Sequence, residues 1–318
     1  RDLHLSLRRQ RQMCIRDRLH HVCVDPACAI AGASELAAEL VEAGNRIHEG
    51  PCLGQCERAP ATFIQGLGSP DVVTADTAGL THRQEGDQSL RLLRRFGQAD
   101  PLSIDSYRAH GGYQALEIAL QIGSQQVLET LTASGLSGRG GAAFPTGTKW
   151  QSVAAEAAKS KHVVANADES EPGTFKDRLI MENDPFSIIE AMTIAGVTTG
   201  SEHGWIYIRG EYPLATERLT QAVDSARKSG FLGTRIAGSQ HSFDIQIRRG
   251  AGAYICGEET ALFNSIEGRR GEPRNKPPFP TTSGLFGDCL LYTSDAADEG
   301  LGVVGGGGGI FKKKGGGG

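Results

Sequence analysis

Alternating apolar and polar stretches predict a mixed α/β chain. Short apolar runs typical of strands occur at 162–165, 205–209 and 243–247. Helical patterns are predicted near 149–160, 185–197 and 213–229, the last closed by Gly230, and a fourth helix is predicted to begin near Glu258. Strands that alternate with helices are typical of parallel βαβ units. The pattern therefore predicts an open α/β sheet covered by helices.

Shorter helices are predicted ahead of the first of these strands. Ser103 or Asp105 can cap one helix, and residues 116–120 belong to a second. Ser124 can cap a third helix that runs to Leu131, with Gly135 as its C-terminal stop.

Composition shifts along the chain predict its domain organisation. Residues 1–18 are rich in arginine without an apolar period, and 288–318 contain glycine and lysine runs that cannot bury a core. Both ends are predicted to be foreign or misread sequence. Between them, 19–80 form a small cysteine-bearing domain, the polar stretch 81–100 a linker, and 101–287 the main domain.

Charge and hydropathy exclude several classes of partner. The chain has 318 residues, 39% of them hydrophobic, and a net charge of −4 without a long basic stripe in the folded part. Nothing favours attraction to nucleic acid or to an anionic membrane. The longest apolar stretch, 188–197, is too short to span a bilayer, and no secretory signal is visible. We expect a soluble, cytoplasmic protein without a direct membrane span.

Four of the seven cysteines are clustered: Cys23, Cys28, Cys52 and Cys56. Cytosolic thiols are kept reduced, so such a cluster favours a metal site over disulfides. Four thiolates can hold a 2Fe–2S cluster, and they suit structural zinc equally well, so spacing alone leaves both open. Cys256 lies apart from them and is expected to be a core residue.

A glycine-rich segment, SGLSGRGGAAFPTGTKW, precedes the helix near Lys149. Gly138, Gly140 and Gly141 let backbone N–H groups approach a phosphate or a flat ring, and Arg139 adds positive charge. The helix start would favour a bound phosphate. The segment matches neither the P-loop nor the dinucleotide fingerprint, and a flexible turn with incidental glycines is the alternative.

Three further unusual segments follow at predicted strand ends or beyond them. These are the acidic loop NADESEPGTFKDR, the segment RRGAGAYICGEETAL and the proline-stiffened EGRRGEPRNKPPFP. A solvated acidic loop is the alternative for the first segment. Ligands of open α/β sheets bind beyond the carboxyl ends of the strands. We therefore predict that these loops enclose one flat, phosphate-bearing ligand set.

The motifs GRGGAAFPTG-KW, NADE-EPGTFKDR, YICGEETAL and KPPFP-TSG, in this order, resemble the NADH-binding flavoprotein subunit of complex I. The same module occurs in the diaphorase (beta) subunits of NAD-dependent formate dehydrogenases and NAD-reducing hydrogenases. Residues 19–80, with VCVDPACAIAGASEL and GPCLGQCERAPA, are similar to a thioredoxin-like 2Fe–2S ferredoxin. The resemblance implies a Rossmann-like sheet with helices on both faces, preceded by a small partial thioredoxin-like domain.

The resemblance also implies roles for individual residues. Gly138, Arg139, Gly140, Gly141 and Lys149 would hold FMN and its phosphate, and Asn166, Asp168 and Glu169 its flavin and ribityl side. Phe144 and Phe279 would flank adenine with Lys276 nearby, Glu171 and Glu259 would bind the nicotinamide nucleotide, and Tyr254, Gly257 and Glu258 would line the flavin pocket. For the three aromatic residues a core role is the alternative. Cys23, Cys28, Cys52 and Cys56 would hold the 2Fe–2S cluster.

The implied activity is that of an NADH dehydrogenase module in a multi-subunit redox complex. A hydride passes between NAD(H) and FMN, and single electrons continue to iron–sulfur clusters. No side chain is needed as nucleophile or general base, although Glu171 is expected to tune the nucleotide site. In the family a 4Fe–4S domain follows the segment that ends here at Gly287, so activity of the chain alone is in question.

Two alternatives remain at this point. The chain can belong to a formate dehydrogenase or hydrogenase instead of complex I. With any of these parents, partner subunits can hold it at the cytoplasmic face of the membrane. Alternatively it is a non-enzymatic electron carrier or a zinc-stabilised assembly module.

Overall fold

The computed structural model describes residues 18–66, 72–74, 89–138, 143–158 and 160–293. The strands are β1 (Leu19–Cys23), β2 (Arg46–Gly50), β3 (Thr62–Gln65), β4 (Val72–Thr74), β5 (Lys161–Ala167), β6 (His203–Ile208), β7 (Asp244–Arg249) and β8 (Cys289–Thr293). The helices are α1 (Pro26–Ile30), α2 (Ala33–Glu42), α3 (Ile104–Ala109), α4 (Gln114–Ala133), α5 (Thr146–Ala155), α6 (Lys176–Asn183), α7 (Pro185–Thr199), α8 (Pro213–Lys228) and α9 (Glu259–Ile266).

The cysteine-bearing region forms a small sheet of its own. Its strand order is β2-β1-β3-β4, in which β1 runs parallel to β2 and antiparallel to β3. Helices α1 and α2 connect β1 to β2. Val22 and Phe63 pack with the cysteines Cys23 and Cys28 in the core of this region. Two of the four clustered cysteines are therefore part of the hydrophobic core.

The main sheet is parallel throughout, in the order β7-β6-β5-β8. Alternate residues of β5 face opposite sides: Val163 and Ala165 join the large core formed with α4 to α8, whereas Val164 packs against α9. Helices therefore cover both faces, which confirms the predicted open α/β architecture. The three predicted main-sheet strands occur within a few residues of their predicted limits.

Local signals placed the helix ends correctly in two places. Ser103 caps α3 by accepting a hydrogen bond from Ser106 N at 3.1 Å. Gly123 breaks the helical geometry inside α4 with a φ of 79°, which separates the two helices that the sequence predicts there. Ser124 does not cap the second of them by accepting a bond, because its hydroxyl donates to Val197 O instead.

Two of the predicted domain limits fall within packed parts of the structure. Strand β8 lies inside the tail predicted to begin at 288, and it pairs with β5 through its backbone while Leu290 and Leu291 are buried. The neighbouring strand β5 offers hydrogen bonds and apolar contacts to these residues, and composition alone cannot reveal such pairing. Within the predicted linker 81–100, Phe96 is fully buried and Arg95 bonds to Asp184 at 2.7 Å. The main domain therefore begins ahead of residue 101.

Among the described residues, no helix has both the length and the apolar character that crossing a membrane requires. Residues 1–17 and 294–318 lie outside the described part of the chain, so the predicted foreign ends stay predictions beyond β8.

Candidate functional site

Loops from three neighbouring strands meet at the carboxyl edge of the main sheet. At the end of β5, Asn166 donates from Nδ2 to Gly257 O at 3.0 Å, in the segment that follows β7. After β6, Arg209 donates from Nη1 to Glu169 O at 2.6 Å, and Arg249 at the end of β7 donates from Nε to Gly210 O at 3.1 Å. The topology brings these loops together because parallel strands end at the same edge.

Asp168 is a buried acid with an unsatisfied oxygen at this edge. Its Oδ1 accepts from Ser170 Oγ at 3.0 Å, but Oδ2 has no hydrogen-bond partner among the residues that the structure describes. A Cβ on Gly257 would lie 3.6 Å from Oδ2, so this glycine leaves open the space beside the acid. Burial raises the pKa of Asp168 to about 6, against the opposing effects of Ser170 and Arg209. An unpaired carboxylate oxygen favours a ligand with a donor group.

Glu169 points away from Asp168, into the protein. Its carboxylate accepts from Asp177 N at 3.0 Å and Arg178 N at 3.2 Å, in the first turn of α6. The Tyr212 hydroxyl donates to the same carboxylate at 3.2 Å. Glu169 thus holds the start of α6, and its predicted role toward a flavin stays a prediction.

Exposed aromatic side chains surround the loops. Phe144 is 49% exposed, Phe279 60% and Tyr254 63%, so the core alternative for these three residues is wrong. The Tyr254 hydroxyl donates to Glu171 Oε2 at 2.7 Å, which links the acidic loop to the segment after β7. Exposed rings offer planar surfaces for a planar ligand.

Two acids at the start of α9, Glu258 and Glu259, make different contacts. Glu258 caps the helix, accepting from the N–H groups of Thr260 and Ala261 at 2.9 Å each. Burial opposes its charged form, but the bonds from Thr260 and Ala261 lower its pKa overall. Glu259 forms an ion pair with Lys276. The proline-stiffened loop is therefore tied to the same corner of the molecule.

The two described ends of the glycine-rich segment pair with each other. Gly138 N donates to Phe144 O at 2.9 Å, immediately before α5. The predicted residues Arg139, Gly140 and Gly141 lie outside the described residues. Lys149 is half-buried on α5, and the Thr146 hydroxyl at the start of that helix is buried without a hydrogen-bond partner in the described part of the chain.

The four predicted metal-ligating cysteines are together. Cys52 Sγ and Cys56 Sγ are 3.7 Å apart, Cys23 and Cys28 pack in the same core cluster, and the sulfurs of Cys23 and Cys52 lie within 4.8 Å of each other. A carboxylate oxygen of Asp25 also lies within 4.8 Å of both of these sulfurs. Burial raises the pKa of the Cys23 thiol to about 12 and, together with the neighbouring Cys52, that of Cys56 to about 11. Sulfurs this close together fit a metal or cluster, which binds cysteines as thiolates and so displaces their protons.

Backbone amides already point at these sulfurs. Cys52 Sγ accepts from Gly54 N at 3.4 Å and from Gly173 N at 3.5 Å, and Cys28 Sγ accepts from Ala61 N at 3.5 Å. Such donors are typical of cluster-binding cysteines. Cys256, by contrast, is buried in the core beside Tyr207 and Leu262, as its isolation in the sequence predicts.

Two buried arginines were missed by the sequence analysis. Arg178 and Arg209 join the cysteine-bearing region to the acidic loop, and each is at most 5% exposed. Arg209 directly follows an apolar strand and Arg178 closes the motif EPGTFKDR, so position at a strand end and inside a motif were the available signals.

Comparison with known proteins decides the family. The family model described as the Nuo51 FMN-binding domain matches residues 131–291, just over half of the chain. The chain belongs to this family. The match includes the acidic loop, the segment after β7 and the proline-stiffened loop, and it reaches into β8.

Relatives of the Nuo51 domain carry names from two kinds of complex. The chain is 50% identical over 196 residues to an NADH-quinone oxidoreductase subunit of Aquifex aeolicus, which covers 62% of this chain and 46% of the relative. It is 51% identical over 193 residues to the NADP-reducing hydrogenase subunit HndC of Solidesulfovibrio fructosivorans, covering 61% of this chain and 39% of the relative. The chain spans about half the length, or less, of the curated relatives it matches.

A solved structure resembles more of the chain. The crystal structure of the NAD+-reducing [NiFe]-hydrogenase in the air-oxidized state aligns with a TM-score of 0.70 and 27% identity. The alignment covers 92% of this chain and 53% of that chain, so it extends beyond the Nuo51 domain into the cysteine-bearing region.

Proposed function

We propose that this chain is an NADH dehydrogenase module that binds FMN and NAD(H) at the carboxyl edge of its main sheet. The observation that carries the proposal is the unpaired Asp168 Oδ2, buried where three loops of the described chain meet in a member of an FMN-binding family. When bound, FMN accepts a hydride from NADH and releases electrons singly to iron–sulfur centres.

The described residues have distinct tasks in this proposal. Asp168 accepts a hydrogen bond from the flavin, and the bare Cα of Gly257 allows its ring to approach the backbone. Asn166 fixes the Gly257 carbonyl, which keeps the two loops together. Phe144 and Phe279 offer exposed faces to the adenine of NADH. The carboxylate of Glu171, oriented by Tyr254, tunes the affinity for the nucleotide.

The remaining predicted residues act around this centre. Thr146 and Lys149 lie at the start of α5, where a phosphate is stabilised by helix amides and by positive charge. Lys276 and Glu259 position the outer loop through their ion pair, and Glu258 holds the first turn of α9. Each of these groups binds or orients, and none needs to act as nucleophile or general base.

The cysteine site serves as the electron partner of the flavin. We propose that Cys23, Cys28, Cys52 and Cys56 hold a 2Fe–2S cluster, because four sulfurs are grouped and backbone amides donate to them. The bridging contacts of Arg178 and Arg209 support short-range electron transfer between the two sites. A structural zinc site would not require this contact with the carboxyl edge of the main sheet.

One observation favours a hydrogenase-type parent complex. The hydrogenase structure aligns with 92% of this chain, including the cysteine-bearing region. We therefore propose a cytoplasmic diaphorase subunit with partner iron–sulfur subunits. A complex I flavoprotein is the other candidate, and the Aquifex relative shares 50% identity with this chain over the aligned region.

Colour and activity test the function as a whole. The purified chain, supplied with FMN and anaerobically with iron and sulfide, is expected to show flavin and 2Fe–2S absorption and to reduce ferricyanide with NADH. A colourless preparation that holds zinc and binds no flavin would support the assembly-module alternative instead.

A single substitution tests the flavin site itself. Gly257→Ala adds a Cβ that meets no described protein atom closer than 3.4 Å, so the fold should tolerate it. FMN affinity, followed by quenching of flavin fluorescence, should nevertheless fall about tenfold or more, equivalent to ~1.4 kcal/mol. Gly50→Ala, with its nearest contact at 3.6 Å in the small sheet, is the matched control and should bind FMN normally. Equal affinity of both variants would place the flavin elsewhere.

A further inference from the structure

The second cysteine loop, residues 52–57, belongs to the cysteine-bearing region, but it is also held by hydrogen bonds and ion pairs from the main domain. Arg178 is fully buried and donates from Nε to Gly54 O at 2.9 Å, and its Nη2 pairs with Glu57. The same guanidinium donates from Nη1 to Glu182 at 3.1 Å. One side chain of α6 thus fixes both the turn and the acidic end of this loop.

Arg209 connects this cysteine loop to the carboxyl edge of the main sheet, where FMN is proposed to bind. Its Nη1 donates to Glu169 O, next to Asp168 in the chain, and its Nη2 donates to Cys52 O at 2.8 Å. A single guanidinium therefore binds the carbonyl of Cys52, a proposed cluster ligand, and the carbonyl of Glu169, which follows Asp168 in the chain. Because guanidinium is planar and its donors are fixed in a fork, it sets the spacing of the two loops.

Close packing confirms that the loop is seated on this surface. A Cβ on Gly54 would lie 2.2 Å from the Tyr212 hydroxyl oxygen, so only glycine allows the approach. Gly54 also has a φ of 64°, which favours glycine. From the main domain, the Gly173 N–H donates to Cys52 Sγ at 3.5 Å.

We propose that Arg178 and Arg209 are positioning residues through which the FMN-binding domain sets the reduction potential of the iron–sulfur cluster. The inference rests on the proposed function, since it takes the cysteines as ligands of a 2Fe–2S cluster. Reduction adds negative charge to the cluster, which N–H donors to sulfur and nearby buried cations stabilise. Docking therefore raises the potential, and loosening the loop lowers it.

The test is a redox titration of the cluster-loaded chain, followed by electron paramagnetic resonance. Arg209→Gln should shift the midpoint of the cluster to a more negative potential, because the Cys52 loop and the Gly173 amide are no longer held together. Arg209→Lys keeps the charge but has a single donor nitrogen in place of the two that bind Glu169 O and Cys52 O, so its midpoint should lie between those of the wild type and Arg209→Gln. A role in folding alone predicts lost protein, not a graded potential.

A second variant keeps the test decisive if Arg209→Gln fails to fold. Gly54→Ala introduces the clash with Tyr212 and should shift the midpoint in the same direction. Gly44→Ala is its matched control: Gly44 has a φ of 82° and nothing described within 4 Å of an added Cβ, so it carries similar backbone strain without touching the main domain. Its midpoint should equal that of the wild type.

The outcomes separate this inference from the proposed function. Cluster-loaded Arg209→Gln or Gly54→Ala with the wild-type midpoint would overturn the positioning role and leave the enzyme intact. A wild-type chain that holds zinc in place of a 2Fe–2S cluster would overturn the cluster assignment and this inference together, while flavin binding, measured by fluorescence, would still report on the other site.

Discussion

Two buried acids of the main domain differ in how completely the protein satisfies their oxygens. Glu190 on α7 is fully buried, and its oxygens accept from the Tyr107 hydroxyl at 2.5 Å, Tyr113 N at 2.8 Å and Leu116 N at 3.2 Å. Asp168 after β5 accepts from Ser170, and its other oxygen has no partner in the described part of the chain.

The difference lies in hydrogen bonding and not in burial. Burial raises the pKa of both carboxyl groups. Protein donors satisfy Glu190, which ties the segment before α4 to α7 and completes a core. Asp168 has one oxygen without a described partner at the edge where the loops meet. A buried acceptor without a partner lowers the stability of the folded chain unless a bound donor pairs with it. Satisfaction of the polar atoms thus distinguishes scaffold from site.

The largest effect is expected from Glu190→Ala. Removing this carboxylate leaves the Tyr107 hydroxyl and two backbone N–H groups without their acceptor and opens a cavity, so the free energy of unfolding should fall by about 3–5 kcal/mol. Urea unfolding measures it. Glu129→Ala, which removes an exposed acid on α4, is the control and should cost less than about 1 kcal/mol. A similar small loss for both would show that Glu190 is not structural.

An intermediate effect is expected from Asp168→Asn. The amide keeps the shape of the side chain but presents a donor or a neutral acceptor, so FMN affinity should fall about tenfold, or ~1.4 kcal/mol. The apo chain should unfold no more easily than the wild type, because the unpaired charge is gone. Fluorescence titration and urea unfolding give the two numbers. Unchanged affinity with lowered stability would make Asp168 a scaffold residue like Glu190.

The smallest effect is a change in pH dependence. The pKa of Asp168 is raised from 3.8 to about 6, so its ionisation destabilises the folded chain above pH 6, and this effect fades as the pH falls toward 4. Apo Asp168→Asn should therefore melt higher than the wild type at pH 7, and the gap should narrow at pH 5. Thermal unfolding at both values measures this. A gap that is constant with pH would mean that Asp168 titrates at its ordinary value.

Local patterns predicted most of the scaffold. The apolar run at 162–165 identified β5, and the Ser103 cap and the Gly135 stop were readable because capping depends on a few adjacent residues. Helix α6 was not predicted, since its apolar character is weak and its start is held by Glu169 from within a loop motif. The burial of Phe96 within the predicted linker could not be foreseen, because this one aromatic ring stands among arginines.

The site was predictable as a set of residues but not as an arrangement. The cysteine spacing and the loop motifs predicted which side chains carry chemistry. They could not show that Glu169 turns inward while Asp168 keeps an oxygen without a described partner, because two adjacent carboxylates have the same sequence signal. Nor could they show that Arg209 would bind both Glu169 and Cys52, which are far apart in the chain.

The sequence by itself determined the parallel α/β fold, the family and the chemical classes of the two sites, because periodicity, caps and short motifs are local properties of a chain. The tertiary structure decided which buried polar groups are satisfied, and it decided that the cysteine loop is seated on the flavin edge. These outcomes depend on donors and acceptors from residues more than a hundred positions apart, such as Arg178 and Gly54, and only folding brings them within hydrogen-bond distance.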